Sequence, residues 1–357
     1  MEVFSCKTKI ISGTGSLWEL GQMEIKRLLV VADPYFQSTN IPDKIKAAAK
    51  ADACTFFYDV IPDPTAELAA KGTALLQACD PDTVIALGGG SAMDCAKAMV
   101  YFSGKCVRLI AVPTTSGSGS EVTDFAILTH GGSKHPLIDD SLYPAVAILD
   151  GNLLTTLPKS LIADAGYDII AHAVESFVAT GAGAISRALA RDAFATVCKA
   201  LPLSFGGNTG VRQTVHLAAT MAGIAFSQSG LGLCHALSHA LGGQFHVPHG
   251  RLNAILLPAV VECNTAAAGL YADLARGAGL GGTADTMAVR SLKNALIRLR
   301  KDLQLPATLT QVGITPQQLQ DDRLVEAVLT DPCCATNPVR PDKAMVRKVL
   351  GQVSGLG

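Results

Sequence analysis

Charged and aromatic residues are scarce in this chain of 357 residues, at 17% and 5% of the composition. The formal net charge is −1 and no run of basic residues occurs. The sequence therefore lacks the patch that neutralises phosphates in nucleic-acid-binding proteins, and we expect no nucleic-acid partner. Low charge beside 49% apolar residues is typical of a well-buried enzyme. It also indicates that part of the surface is covered in an oligomer.

Signals for export or membrane insertion are missing as well. The first ten residues, MEVFSCKTKI, have no apolar core of a signal peptide. No uninterrupted apolar stretch approaches the roughly 18 residues of a membrane-spanning helix. The ten cysteines include no CxxC pair, and in a chain of this size they are typical of a reducing compartment. These absences predict a cytoplasmic enzyme without a membrane partner.

Length and pattern together predict two domains, because 357 residues exceed the roughly 250–300 at which single cores stop growing. In the first part, β-rich runs alternate with helical stretches, which predicts parallel strands joined by crossover helices. The predicted strands are 27–33, 83–90, 107–115 and 145–150, and the helices between them include 64–79 and 92–102. Beyond LLTTLPKS (153–160) strand signals almost vanish. Helices are predicted within 161–202, 211–243, 252–277, 284–303 and 340–353. We expect an α/β domain over 1–157 and an all-α domain over 158–357.

Histidine is concentrated in one part of the chain, since four of the eight lie between positions 235 and 249. Asp168 and His172 are four residues apart in IADAGYDIIAHAVESF, and His235 and His239 are four apart in GLCHALSHALGG. Because residues four apart lie on the same face of a helix, the two side chains of each pair can contact the same ligand.

His249 follows in HVPHG, where the neighbouring proline and glycine place it in a turn beyond the second helix. A lone histidine on an apolar helix is more often a packed core residue than a ligand. One carboxylate with imidazoles from two helices and a turn is nevertheless enough to hold Zn²⁺ or Fe²⁺. We predict a divalent-metal site at Asp168, His172, His235 and His249, able to polarise an oxygen on a small substrate.

Three features of the first domain favour a dinucleotide. Gly88–Ser91 (GGGS) lies between a strand and a helix, where glycines let backbone N–H groups approach a pyrophosphate. This signal is weak alone, because GGGS differs from GxGxxG. The segment 113–121 (PTTSGSGSE) supplies hydroxyls for phosphate, ribose or nicotinamide, although it also fits a surface loop. Asp33 ends a strand, where a carboxylate can bind ribose hydroxyls and repel the extra phosphate of NADP; a solvated turn aspartate is the alternative.

Taken in order, these motifs resemble the iron-containing (group III) alcohol dehydrogenases over essentially the whole chain. The resemblance rests on PDPTAE, GGGSAMDCAK, PTTSGSGSEVT, YPAVAILD, GYDIIAHAVESF, GIAFSQSGLGLCHALSHALGGQFHVPHG, NAILLP and CCATNP. Within the family, the GLGLCHALSHALGGQFHVPHG stretch and the short length are most similar to the 1-propanol dehydrogenases of diol-degrading microcompartments. The resemblance implies a Rossmann-like α/β domain followed by an all-α domain, the fold shared with dehydroquinate synthase, with the active site in the cleft between them.

The resemblance also implies roles for individual residues. Asp168, His172, His235 and His249 match the family's metal ligands, and Asp33 matches its ribose-binding acid. Cofactor contacts are implied at Gly89, Gly90, Ser91, Thr114, Thr115, Ser118, Thr123 and Lys134. His239 matches a histidine that assists substrate binding or proton movement, and His246 either lines the substrate pocket or fills space near the turn. Two departures stand out: Asp63 replaces a common Asn in a PNPT turn, and Ser118 replaces a common Thr.

The activity implied is reversible hydride transfer between NAD(H) and short primary alcohols or aldehydes, such as 1-propanol and propanal. Fe²⁺ is the expected metal, and the same ligand types accept Zn²⁺. The alternatives are a zinc or iron polyol dehydrogenase of the glycerol or 1,3-propanediol type, a non-redox lyase of the same fold, and a non-catalytic microcompartment scaffold. We further expect a homodimer or larger homo-oligomer, located in the cytoplasm or inside a bacterial microcompartment with its proteins as partners.

Overall fold

A computed structural model describes residues 3–131 and 133–355. The chain divides into two compact units, one spanning Ser5–Leu157 and the other continuing from Pro158. The first unit combines a parallel sheet with helices, and the second is helical. The expected combination of an α/β domain with an all-α domain is therefore confirmed.

Six parallel strands form the sheet of the first unit, in the order β1-β8-β5-β4-β2-β3. The strands of this unit are β1 (Lys9–Ser12), β2 (Arg27–Ala32), β3 (Ala53–Phe57), β4 (Thr83–Gly88), β5 (Arg108–Pro113), β6 (Phe125–His130), β7 (Ser133–Ile138) and β8 (Val146–Leu149). Its helices are α1 (Ile41–Ala49), α2 (Ala66–Cys79) and α3 (Gly90–Ser103). β6 and β7 pair antiparallel as a separate hairpin.

The central strands are apolar at almost every position because both faces of the sheet are covered. Val30, Ile85 and Ile110 stand opposite one another on β2, β4 and β5 and belong to the core on one face. Their neighbours Val31 and Val84 belong to the core on the other face. Each of the four predicted strands contains an observed one, which ends one or two residues earlier than predicted.

The second unit contains nine α-helices among the described residues. They are α4 (Lys159–Val178), α5 (Ala184–Phe205), α6 (Arg212–Ser229), α7 (Leu233–Phe245), α8 (His249–Cys263), α9 (Ala268–Gly277), α10 (Asp285–Asp302), α11 (Asp322–Thr330) and α12 (Lys343–Val353). The stretch predicted at 161–202 therefore comprises two helices that break at 179–183. None of the described helices is by itself both long and apolar enough to cross a bilayer, although two sharply bent helix pairs reach that length and hydropathy together.

Candidate metal centre and cofactor loops

Three of the four predicted metal ligands converge in the helical unit. Asp168 of α4, His235 of α7 and His249 of α8 each offer one ligand atom, and these atoms lie within 4.8 Å of one another. His249 Nδ1 is 2.9 Å from Asp168 Oδ1, and His235 Nε2 is 3.9 Å from the same oxygen. The residues are far apart in sequence, so this convergence depends on the packing of α4, α7 and α8.

The placement of His249 in a turn was wrong, because it is the first residue of α8 and Pro248 is the N-cap. The following glycine serves helix packing. A Cβ on Gly250 would lie 1.8 Å from the carbonyl oxygen of Asp164 and 3.2 Å from Cβ of Asp168. Only a glycine lets α8 approach α4 so closely. The proline that suggested a turn is therefore the N-cap of a helix. The glycine allows this helix to pack closely enough on α4 for His249 to contact Asp168.

His172, the fourth predicted ligand, lies beside this group without being one of the three converging residues. Its ring stacks on the ring of His235, with centroids 4.7 Å apart and an interplanar angle of 18°. Phe226 stacks on it as well, at 4.4 Å. The side chain of His172 is buried, and its Nδ1 has no hydrogen-bond partner among the described residues.

The nitrogen atoms of this cluster fit a bound cation. Within the cluster, three buried imidazole nitrogens have no hydrogen-bond partner among the described residues: His172 Nδ1, His235 Nε2 and His249 Nε2. Leaving a buried polar atom unpaired costs about 1–3 kcal/mol, so three such atoms in this cluster favour a bound ligand that accepts their lone pairs. The converging oxygen of Asp168 and nitrogens of His235 and His249 are a donor set suited to Fe²⁺ or Zn²⁺, and the neighbouring His172 can add a third nitrogen.

Protonation states agree with this fit. Burial lowers the pKa of His172 to about 3 and lowers that of His235 well below its usual value, so both rings are neutral at pH 7 and can donate a lone pair. Burial opposes ionisation of Asp168, but the hydrogen bond with His249 Nδ1 favours its charged form, and the pKa of that carboxyl lies below its usual range. The cluster therefore combines the carboxylate of Asp168 with the neutral imidazoles of His172 and His235.

Two positioning residues that the sequence analysis missed orient the cluster. Glu175 Oε2 is 2.6 Å from His235 Nδ1, and the carboxylate also accepts the backbone N–H groups of Gly232 and Cys234 at 3.0 and 2.7 Å. Because Glu175 accepts the proton on Nδ1, Nε2 of His235 keeps its lone pair for a metal. Asn253 Nδ2 donates to Asp168 Oδ1 at 2.7 Å.

The sequence signal that could have revealed Glu175 and Asn253 is their helical spacing from predicted ligands. Glu175 lies three residues beyond His172, on the face that carries Asp168, and Asn253 lies four residues beyond His249. Neither residue type stands out in the sequence, since a buried glutamate is recognised only once its partners are known.

His239 and His246 occupy different surroundings. The His239 ring is 5.1 Å from that of His249, and its Nδ1 is 2.9 Å from Asp331 Oδ2. Asp331 is a further residue that the sequence analysis did not single out. His246 is exposed, ends α7 with a φ of 55°, and lines a cavity of about 860 Å³. Within the described residues, the lining of that cavity includes none of the four predicted ligands.

Predicted cofactor residues gather at one edge of the sheet in the α/β unit. Asp33, Gly89 and Thr114 directly follow β2, β4 and β5, which are neighbours, so their carboxyl ends meet. Gly89 is the N-cap of α3, and the N–H of Thr114 donates to the carbonyl of Gly88 at 2.9 Å. Asp33 accepts from the N–H of Tyr35 at 3.0 Å, and burial raises its pKa.

The glycine turn and the hydroxyl loop are packed together. A Cβ on Gly89 would lie 3.0 Å from Thr115 Oγ1, and one on Gly90 would lie 3.3 Å from Ser118 Oγ. Only small residues fit where these two loops touch. Ser91 is the second residue of α3, so it shares the helix N-terminus with Gly89 and Gly90.

A buried lysine holds the end of the hydroxyl loop. Lys97 Nζ donates to the carbonyl and the hydroxyl of Thr123 at 2.8 and 3.0 Å and to the carbonyl of Phe125 at 2.8 Å. Burial lowers the pKa of Lys97 to about 8 and raises that of Asp94 to about 6. Lys97 was missed, although a charged residue inside the apolar helix MDCAKAM is itself a signal.

Lys134 comes from the hairpin of β6 and β7 and not from these two loops, and its positive charge acts on the carboxyl of Asp94 in α3. It belongs to β7, and its Nζ forms a salt bridge with Asp63 Oδ1 at 2.7 Å. Asp63 has a φ of 52°, a conformation that Asp and Asn adopt more readily than other side chains, so the departure from Asn keeps the turn.

Two family models match the chain. The model described as iron-containing alcohol dehydrogenase matches residues 7–151, and the one described as the C-terminal part of the Fe-containing alcohol dehydrogenase family matches residues 162–353. Together they cover both units of the structure.

Individual relatives are similar over nearly the whole chain. The 1-propanol dehydrogenase PduQ of Citrobacter freundii is 38% identical, over 99% of this chain and 100% of its own length. The NADPH-dependent butanol dehydrogenase of Clostridium saccharobutylicum is 33% identical, over 97% and 96%. The structure of sulfoacetaldehyde reductase from Bifidobacterium kashiwanohense, in complex with NAD⁺, has a TM-score of 0.91 at 26% identity and covers 100% of both chains.

Proposed function

The chain belongs to the iron-containing alcohol dehydrogenase family, and from that premise we propose that it transfers hydride between NAD(H) and a short primary alcohol or the corresponding aldehyde. It is an alcohol dehydrogenase and therefore an oxidoreductase. The observation that carries the proposal is the convergence of Asp168, His235 and His249, together with buried nitrogens in the cluster that have no hydrogen-bond partner among the described residues. Family membership favours hydride transfer over a non-redox lyase and over a non-catalytic scaffold.

Asp168, His172, His235 and His249 would hold the metal, and the family favours Fe²⁺ over Zn²⁺. When bound, the cation supplies Lewis-acid polarisation of the substrate oxygen. Glu175 and Asn253 keep His235 and Asp168 in their orientation, which the site needs before a cation arrives.

His239 is placed to move a proton. Its Nδ1 is 2.9 Å from Asp331 Oδ2, so Asp331 accepts the proton on Nδ1 and Nε2 is left as an acceptor. In alcohol oxidation Nε2 would take the hydroxyl proton, and in aldehyde reduction the protonated ring would return it. The ring of His239 lies 5.1 and 6.1 Å from those of His249 and His235, close enough for this role. His246, which is exposed, is the weaker of the two predicted catalytic histidines.

We assign the cofactor to the carboxyl edge of β2, β4 and β5. Gly89, Gly90 and Ser91 at the N-terminus of α3 would receive the pyrophosphate, because backbone N–H groups there face an anion. Thr114, Thr115, Ser118 and Lys134 would contribute the remaining contacts, and Thr123, which is buried and hydrogen-bonded to Lys97, would act by holding the loop. Asp33 would bind the ribose hydroxyls and disfavour the phosphate of NADP. The preference for NAD over NADP needs a test, because one relative is NADPH-dependent and the structure of another was solved with NAD⁺.

We propose 1-propanol and propanal as the substrate pair. The support is the 38% identity over the full length to a 1-propanol dehydrogenase. A butanol dehydrogenase is 33% identical, so neighbouring chain lengths are the first alternatives to test. The homo-oligomeric state and the cytoplasmic or microcompartment location stay predictions, which light scattering and cell fractionation would examine.

The deciding experiment removes all metal and restores it under anaerobic conditions. NADH oxidation with propanal should return when Fe²⁺ is added to the metal-free protein, and a parallel sample with Zn²⁺ identifies the preferred ion. His235→Ala should stay inactive, whereas His130→Ala should behave like the wild type, because His130 is exposed and pairs with Glu67. Tight NADH binding without turnover by either metal form would contradict the proposal.

A further inference from the structure

A second group of metal-binding side chains lies beside the first. His239 of α7 and Asp331 and Cys333, which follow α11, each offer one ligand atom, and these atoms lie within 4.8 Å of one another. None of the three is a predicted ligand of the first site. The two groups are neighbours, since the ring of His239 lies 5.1 Å from that of His249.

The carboxylate of Asp331 organises this second group. Its Oδ2 is 2.9 Å from His239 Nδ1, and its Oδ1 accepts the N–H of Cys333 at 2.8 Å. The Asp331 side chain is 12% exposed and that of His239 is 26% exposed. The imidazole of His239 and the backbone of Cys333 are therefore held against Asp331, and all three residues are only partly buried, which leaves room for an ion to enter.

The donor set differs in chemistry from the first site. It contains a sulfur atom, whereas the first site has only nitrogen and oxygen donors. Thiolate ligands select thiophilic ions, and a Cys, His and carboxylate set is suited to Zn²⁺. A thiolate and a carboxylate together carry two negative charges, which balance a divalent cation. A second ion can therefore bind next to an occupied first site without a large repulsion between the two centres.

We propose that His239, Asp331 and Cys333 form a second site for a thiophilic divalent cation, with Zn²⁺ as the physiological candidate. Binding exchanges the thiol proton of Cys333, which leaves to solvent, for a metal–sulfur bond. Occupation also ties up His239, the group proposed above to move the substrate proton. Zn²⁺ at this site should therefore inhibit turnover, and that consequence rests on the proposed function, whereas the site itself does not.

The absorption spectrum of bound Co²⁺ distinguishes the two sites. A thiolate bound to Co²⁺ absorbs in the near ultraviolet by sulfur-to-metal charge transfer, and the first site contains no sulfur. Metal-free protein titrated anaerobically with Co²⁺ should bind two ions, and the charge-transfer band should follow the occupation of the second site. Cys333→Ser should bind one ion and lose the band. Cys334→Ser should keep it, because Cys334 Sγ is directed at the carbonyl of Val328, 3.0 Å away.

A wild-type protein without the band, or a Cys333→Ser protein that keeps it, would overturn the proposal. If Cys333→Ser fails to bind even the first ion, the Asp331→Asn variant is tested in its place, and its charge-transfer band should be weaker than that of the wild type. The inhibition is measured separately, by adding Zn²⁺ to the Fe²⁺-loaded enzyme. A band in a protein that turns over no substrate would support the site and contradict the proposed function, so the two failures are distinguishable.

Discussion

Replacing Gly250 by alanine should dismantle the metal centre without touching any ligand. The added Cβ would lie 1.8 Å from the carbonyl oxygen of Asp164, and an ordinary contact begins near 3.4 Å. Relief of this overlap requires α8 to move away from α4 by about 1.6 Å at this point. His249 directly precedes Gly250, so its 2.9 Å contact with Asp168 cannot survive a shift of that size.

The consequence for metal binding follows from ligand geometry. Metal–nitrogen and metal–oxygen distances tolerate deviations of only about 0.2 Å, so a displacement several times larger removes His249 from the coordination shell. Overpacking of a helix contact also costs about 1–3 kcal/mol of folding stability. We expect Gly250→Ala to have a lowered melting temperature and to lose stoichiometric metal, measured by elemental analysis after dialysis.

A matched control is available on α12. Gly351 has no atom within 4 Å of an added Cβ, so Gly351→Ala should keep its metal and gain up to about 1 kcal/mol of stability, the usual advantage of alanine over glycine inside a helix. If Gly250→Ala binds one metal ion per chain as tightly as the wild type, the close approach of α4 and α8 does not position the ligands.

Three further substitutions test the site residue by residue. His249→Ala should lose the metal and nearly all turnover while still binding NADH, as followed by fluorescence titration. Glu175→Gln should weaken metal affinity by about 10–100-fold, because the amide no longer accepts the proton on His235 Nδ1 in the same way; competition with a chelator measures it. Asp33→Gly should admit NADP(H), read from the ratio of kcat/KM for the two cofactors.

Each of these expectations has an outcome that contradicts it. Full activity of a metal-free His249→Ala protein would end the metal mechanism. A Glu175→Gln protein with unchanged affinity would show that the hydrogen bond to His235 is incidental. An unchanged cofactor preference in Asp33→Gly would make that residue a bystander, and Asp59→Gly is the matched control, since its exposed carboxylate pairs with Lys71.

The α/β pattern of the first unit could be predicted where strands are long, apolar and central. β2, β4 and β5 are buried almost throughout, so their sequences are continuous apolar runs. β1 and β3 lie at the two edges of the sheet, and the hairpin of β6 and β7 lies outside it. These strands are short or only partly buried, as in KIIS and ACTFF, and their composition does not separate them from loops.

The residues of the candidate site likewise divide into those that the sequence predicts and those that only the structure brings together. Asp168, His172, His235 and His249 could be proposed from residue type and helical spacing, because an i,i+4 pair shares a face wherever the helix goes. Asp331 and Cys333 were not connected with His239 before the structure was known. They are separated from it by 92 and 94 positions, and no local pattern joins residues at that distance.

The sequence by itself determined which chemical groups are available: one carboxylate, a set of imidazoles, a glycine turn and a hydroxyl loop. The tertiary structure decided which of them meet. His249 reaches Asp168 because Gly250 lets α8 touch Asp164, and His235 keeps its free Nε2 because Glu175 accepts the proton on the other nitrogen. Distances between different helices are set by packing over the whole unit, and the spacing of residues along one helix carries no information about them.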